Sequence, residues 1–410
     1  MRLWHKHDVR QNAQRLIHFL LSEHSGTGWS IDWKNVAAWG ELAYSAQPVL
    51  SRGIVLRVLT RMVEEKVDSV EAFERIYEDI QQSKASIPNE RWRYLLPLEI
   101  RVPKSDLPVR FRIFEHDFYL IAASSFKRYL KPQNLRALPL VLSRRCSFQK
   151  EISRYTFFTA LVDAPDWRAG WQRVAPAFDA FRGMLNLSLS FYQLRLTFNT
   201  PRPWGIRHPC WGMMISRHTE EPFFFIGERG ESSKIIELSE EVVKALKRNL
   251  YLLKNRPPKG STLELIADSL RLYSQAMDTS LPHWRLLGFW QLAESITVAE
   301  DVGGDTAKVA HRLSWLGSKI GLEASGYRYT LLALGQKRNQ IVHRGIGDVD
   351  EEDINILKLA CEAGIHWLFS VVKDLPTVQH IRQFYRFKDM GKKQREVIGE
   401  TLRFINSPTP

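Results

Sequence analysis

The apolar positions of this chain change period along its length. From residue 8 to 83 they recur at helical spacing: Leu16, Phe19 and Leu20 form one stripe, and Trp33, Val36, Ala37 and Leu42 a second. Val55, Val58, Leu59 and Met62 form a third, which runs on through Phe73, Ile76 and Ile80 in an acidic stretch. Gly26-Thr27-Gly28 separates the first two. From about Arg91 the texture changes. Val109-Arg110-Phe111-Arg112-Ile113-Phe114 alternates apolar with basic residues, Glu115-His116-Asp117 reads as a turn, and Phe118-Tyr119-Leu120-Ile121 as its partner strand. Residues 151–164 and 167–190 read as helices, the second burying Phe178, Phe181, Met184 and Leu185. Alternation returns at 194–198, residues 210–215 and 222–226 read as short strands, and 238–253 as a helix.

Lys254-Asn255-Arg256-Pro257-Pro258-Lys259-Gly260 interrupts the pattern, and the main domain boundary is expected there. Beyond it Ser261 and Glu264 make a capping box ahead of Leu263, Ile266, Leu270, Tyr273 and Met277. A second helix, 283–300, turns Leu286, Leu287, Trp290, Ala293 and Ile296 inward. Asp305 is the expected N-cap of a third, with Val309, Leu313, Leu316 and Ile320 on its face. A fourth covers 327–342. The acidic run 348–353 opens a fifth, whose buried face is Ile354, Leu357, Cys361, Ile365, Leu368 and Val372. Five amphipathic helices predict a bundle. The expected fold class is α+β. Residues 1–255 hold helices and a small sheet, either as one region or as a helical part (1–90) plus an α+β part (91–255). An all-α bundle (261–375) and a basic tail (376–410) follow.

Charge adds a partner class. The net charge is +13 on 410 residues, which favours an anionic partner such as nucleic acid. Residues 101–154 carry 12 Lys/Arg against 4 Asp/Glu, a local excess of 12 − 4 = +8. Arg110, Arg112, Lys127, Arg128, Arg144 and Arg145 are the candidate nucleic-acid contacts there, with aromatics interleaved. Cys146, Cys210 and Cys361 are too dispersed for a zinc site or a disulfide framework, which fits a reducing cytoplasm. His5, His7, His18 and His24 lack carboxylates or cysteines at ligand spacing, so no metal is expected. No signal peptide and no apolar run of spanning length is found, and the chain reads as soluble without a membrane partner. Walker, dinucleotide and nucleophile-elbow motifs are absent. No helix-turn-helix with a basic recognition helix is found, which ranks a DNA-binding regulator last.

The chemistry concentrates in Lys337-Arg338-Asn339-Gln340-Ile341-Val342-His343-Arg344-Gly345. Asn339 and His343, four apart on a helix, share a face, and Arg338 lies one step round. A histidine moves protons near neutral pH, and a guanidinium holds a phosphate in bidentate form. Together they suit cleavage of RNA, in which a ribose 2′-hydroxyl loses a proton and a leaving oxygen gains one.

The string Arg338, Asn339, His343, late in a helical segment, resembles the HEPN superfamily of ribonucleases. Arg344-Gly345 directly after the histidine resembles its Apea-like branch. The resemblance covers about the last 150 residues and implies a metal- and cofactor-independent endoribonuclease. Arg338, Asn339 and His343 are then catalytic, and Glu294, Lys337 and Arg344 stand behind them. It also implies a homodimer with a composite site, and a gated toxic role in anti-phage defence answering to a phage-derived or regulatory trigger. The alternative on the same scaffold is a non-catalytic RNA-binding or sensor protein.

Overall fold

The structure, a computed structural model, describes residues 7–22, 24–25, 28–29, 52–85, 90–103, 107–122, 125, 156–164, 167–197, 211–216, 222–226, 236–279, 281–298, 305–319, 321, 324–345 and 348–406. By contacts the chain divides into two compact units, Met1–Asn89 and Glu90–Pro410.

In the first unit, α1 (His7–Ser22), α2 (Arg52–Glu65) and α3 (Val70–Ala85) bury one core of Ile17, Leu20, Val58, Leu59, Met62, Phe73 and Ile76. These are the positions that the 3–4 spacing places on single helix faces. Gln14 joins the pieces: its amide donates to Asp68 O at 2.7 Å and accepts from Val70 N at 3.1 Å. Strands β1 (His24–Ser25) and β2 (Gly28–Trp29) pair antiparallel, His24 opposite Trp29.

The second unit begins with the strand at the centre of a six-stranded antiparallel sheet. β3 (Glu90–Leu98) pairs with both β7 (Thr156–Ala164) and β8 (Trp211–Ser216). Outside β7 lie β6 (His116–Ala122) and then β5 (Val109–Ile113). Outside β8 lies β9 (Pro222–Ile226). β4 (Ile100–Arg101) pairs in parallel with β10 (Ile236–Glu237). Residues 156–164 are thus a strand and not part of a helix over 151–164. Thr156-Phe157-Phe158-Thr159-Ala160 is buried at every position, because a central strand has both faces covered. Such a run carries no alternation, and its aromatic and β-branched content is what marks it as extended. β3, buried in the same way from Tyr94 to Leu98, escaped the pattern for the same reason.

The β5–β6 turn is Phe114-Glu115, one step earlier than expected. Both residues have positive φ, 49° and 71°, as a two-residue hairpin with right-handed strand twist requires. Their N–H groups donate to Leu253 O and Lys254 O at 2.9 Å each, which holds that costly conformation in place. α4 (Trp167–Thr197) packs Phe178 and Phe181 on the sheet at Phe158 and Phe111. It also runs through 194–197, where two-residue alternation suggested a strand. Residue 198 lies outside the described residues.

α5 (Glu240–Leu250), a 3-10 turn (Tyr251–Leu253) and the 254–260 segment lead to the helices. These are α6 (Thr262–Asp278), α7 (Pro282–Ile296), α8 (Thr306–Ser318), α9 (Ala324–Arg344), α10 (Glu351–Val371), α11 (Val378–Asp389) and α12 (Lys392–Asn406). The break at 254–260 is a polar connection inside one unit. A single apolar core runs from Trp92 in β3 to Tyr385 in α11. α4 is the middle layer, and at Gly183 it comes so near α6 that a Cβ would stand 2.1 Å from Leu270 O. A buried polar cluster spans the same junction. Lys358 Nζ lies 2.5 Å from Glu362 Oε1 and 2.8 Å from Ser190 Oγ, and the Tyr273 hydroxyl donates to Glu362. α10 is long and apolar enough by composition to cross a membrane, yet 67% of that stretch is buried inside the protein.

The region expected as a basic tail is helical through Asn406. α11 buries Ile381 and Tyr385, and the strand-like bridge Ser261–Thr377 fastens its start to α6.

Candidate functional site

Three local features build the site. α9 ends where Gly345 takes φ 67° and its N–H bonds to Ile341 O at 2.9 Å, a left-handed cap open to glycine without strain. One turn into the motif's approach, Gly335 brings the α9 backbone against α7. A Cβ there would lie 2.8 Å from Trp290 Cη2 and 2.1 Å from Thr306 Cγ2. On α7, Trp290 and Glu294 are four residues apart and share a face.

These features produce a hydrogen-bonded chain across two helices. The Trp290 indole N–H donates to Glu294 Oε1 at 2.9 Å, and Arg338 Nη2 donates to the same oxygen at 3.3 Å. Arg338 Nη1 donates to Asn339 Oδ1 at 2.9 Å. The side chains of Arg338 and Glu294 keep 29% and 27% of their surface exposed, so the fixed guanidinium can still be reached from outside. Lys337 points elsewhere. Its ammonium sits 2.5 Å from Asp353 Oδ2, and that bond raises its proton affinity above the ordinary lysine range. Asp353 also closes the capping box of α10, where its N–H donates to Asp350 Oδ1 at 2.8 Å. Lys337 is therefore a clasp between α9 and α10.

His343 and Arg344 are exposed in the last turn, and no described residue hydrogen-bonds the imidazole. At about 100° per residue, His343 stands over Asn339 and about 140° round the helix from Arg338. The chain thus gathers Arg338, Asn339 and Glu294, and leaves His343 facing outward.

Glu294 also lines a cavity of about 580 Å³ walled by Glu264, Asp268, Arg271, Gln291 and Arg382. Burial in that wall raises the Asp268 carboxyl above its usual range, against the pull of Arg271 at 3.3 Å. Among the described residues no three His, Cys, Asp or Glu side chains gather closely enough to hold a metal ion.

Of the candidate contacts on the sheet, Arg110 is held by Asp117, with Nη2 2.9 Å from Oδ2. Arg112 is exposed on the same strand. Lys127, Arg128, Arg144 and Arg145 lie outside the described residues. Sequence reasoning turned Trp290 into the core without assigning it to the site, although its four-residue spacing from Glu294 was there to be read. No protein-family model, characterised protein or solved structure matches this chain.

Proposed function

We propose that this chain is a metal-independent endoribonuclease of the HEPN type, whose helical bundle carries the catalytic motif. The observation that carries the reading is the Trp290–Glu294–Arg338–Asn339 chain, which fixes a reachable guanidinium on the helix that ends in an exposed histidine. In this mechanism the His343 imidazole takes the proton of a ribose 2′-hydroxyl. The 2′-oxygen attacks phosphorus, the bond to the 5′-oxygen breaks, and the leaving oxygen takes up a proton. Arg338 binds the non-bridging oxygens as charge builds on them. The products are a 2′,3′-cyclic phosphate and a 5′-hydroxyl, and no water is consumed.

One imidazole cannot act as base and acid at once, so the proposal includes a homodimer in which a second His343 serves the leaving group. Tyr329, Ala333, Gln336, Gln340 and His343 are all exposed on α9. Their steps of 4, 3, 4 and 3 are the spacing with which one helix meets another. The motif's likeness to HEPN nucleases motivates the rest of the reading: a cytoplasmic, gated toxic RNase of anti-phage defence, with residues 1–255 answering to a trigger. A non-catalytic RNA-binding or sensor role is the second reading. It is favoured by the commitment of Arg338 to Glu294 and by the lack of any described group orienting His343.

The test is cleavage of end-labelled RNA in EDTA, with and without extract of phage-infected cells. Arg338→Ala is expected to lower cutting by about 10²–10³ and His343→Ala by about 10²–10⁴, with circular dichroism unchanged and cyclic phosphate at the new ends. RNA bound but uncut by all three proteins selects the sensor. Equal cutting by all three rejects the assigned residues.

A further inference from the structure

Away from the Arg338 site, the corner formed by α8, α11 and α12 gathers positive charge around one indole. Trp315 is held edge-on to Trp367 at 5.5 Å and tilted against Phe384 at 5.3 Å, so its ring has a fixed position. Two ammonium groups sit over that ring: Lys319 Nζ at 5.1 Å and Lys388 Nζ at 4.9 Å from its centroid. More cations stand close by. Burial lowers the proton affinity of Lys388, and Arg395 and Lys319 lower it further. Burial likewise lowers that of His311, followed by Arg328 from α9. A carboxylate at this corner, Asp389, is already taken by Arg312, at 2.6 Å from Nη2.

Like charges converging in this way repel one another, and a polyanion relieves that repulsion. We propose that Trp315, with Lys319, Lys388, Arg395 and Arg328, binds the phosphate backbone of a single-stranded nucleic acid. The aromatic centre decides for a single strand. When phosphates draw the ammonium groups aside, an indole face opens on which an unpaired base stacks, whereas a duplex keeps its bases inside. This site rests on the reading of RNA as partner and adds where the strand is held. It reaches the motif helix through Arg328.

The experiment is anisotropy of a labelled 2′-O-methyl RNA of about 20 nucleotides, which lacks the nucleophile and so reports binding alone. Titrations of the full chain run from about 50 to 200 mM salt. Lys319→Gln/Lys388→Gln keeps the apolar stems and is expected to weaken binding and lower the salt slope by about 1.4, or 0.7 for each lost phosphate contact. Lys319→Glu/Lys388→Glu is expected to weaken it at least tenfold. Wild-type affinity and slope in both variants would overturn the proposal, even with cleavage intact. So would absence of binding by the wild-type chain, or competition by a mononucleotide as effective per mole as the oligonucleotide, which would mark a site for a free phosphate. Binding lost in the lysine variants but kept in Arg338→Ala separates this site from the catalytic one.

Discussion

Replacing Gly335 by alanine sets two effects against each other at the contact that holds the site. Alanine favours a helix interior over glycine by about 0.8–1 kcal/mol. Against this, the new methyl meets Trp290 Cη2 at 2.8 Å and Thr306 Cγ2 at 2.1 Å. The threonine methyl can rotate away, but the indole is buried and its N–H is bonded to Glu294. To reach an ordinary contact of 3.4 Å the ring has to retreat by about 0.6 Å, and overpacking of that kind costs about 1–3 kcal/mol. Gly335→Ala should therefore lower stability by about 0–2 kcal/mol. Gly399→Ala is the control: it lies inside α12 with nothing within 4 Å of an added Cβ, and should raise stability by about 0.5–1 kcal/mol. Urea unfolding of both variants, followed by circular dichroism and tryptophan fluorescence, measures the difference, expected at about 1–3 kcal/mol. If Gly335→Ala stabilises as much as Gly399→Ala, the close approach of α9 to Trp290 does not constrain the helix pair. Under the nuclease reading the same substitution also slows RNA cleavage, since a displaced Trp290 loosens Glu294 and then Arg338.

Two further outcomes concern buried polar groups. Lys358→Met leaves the Glu362 carboxylate buried without its cation, the two side chains being 1% and 4% exposed. It should cost about 3–5 kcal/mol by thermal or urea unfolding, with much of that recovered in Lys358→Met/Glu362→Leu. A harmless single variant would show that the cluster does not hold α10 to α4. Burial raises the proton affinities of Tyr273, Tyr327 and Tyr385 above the ordinary tyrosine value of 10.0. The folded chain keeps protons that the unfolded chain releases, so their contribution is fully present below pH 10 and is lost as pH rises above it. Each tyrosine contributes a slope of about 1.4 kcal/mol per pH unit in that window. Tyr385→Phe should remove one such share from the alkaline limb of the stability profile, and an unchanged limb would contradict the assignment.

Much of the helical half was legible in the residues. α6 to α10 each carry an apolar stripe at 3–4 spacing, and that spacing shows in the sequence even for α10, most of which is buried. Ser261, Asp305 and Asp350 announce helix starts by chemistry confined to one turn, and all three accept from backbone N–H groups as that chemistry requires. The motif at 337–345 and its terminating Gly345 are local in the same sense. β3 and β7 were not legible, because residues 94–98 and 156–160 have both faces covered and burial without contrast leaves no period. Nor did the polar run at 254–260 reveal that one core passes from the sheet through α4 to the bundle. Contacts such as Gly183 on Leu270 join positions 87 residues apart, beyond the reach of any local pattern. Arg338 meets Glu294 only because glycine at 335 lets two helices close on each other, and Trp315 meets Lys319 from just past the end of α8 and Lys388 from α11. A sequence displays what one turn of backbone can do by itself, whereas the meeting of distant side chains is set by how helices pack, and that depends on the shapes of both partners at once.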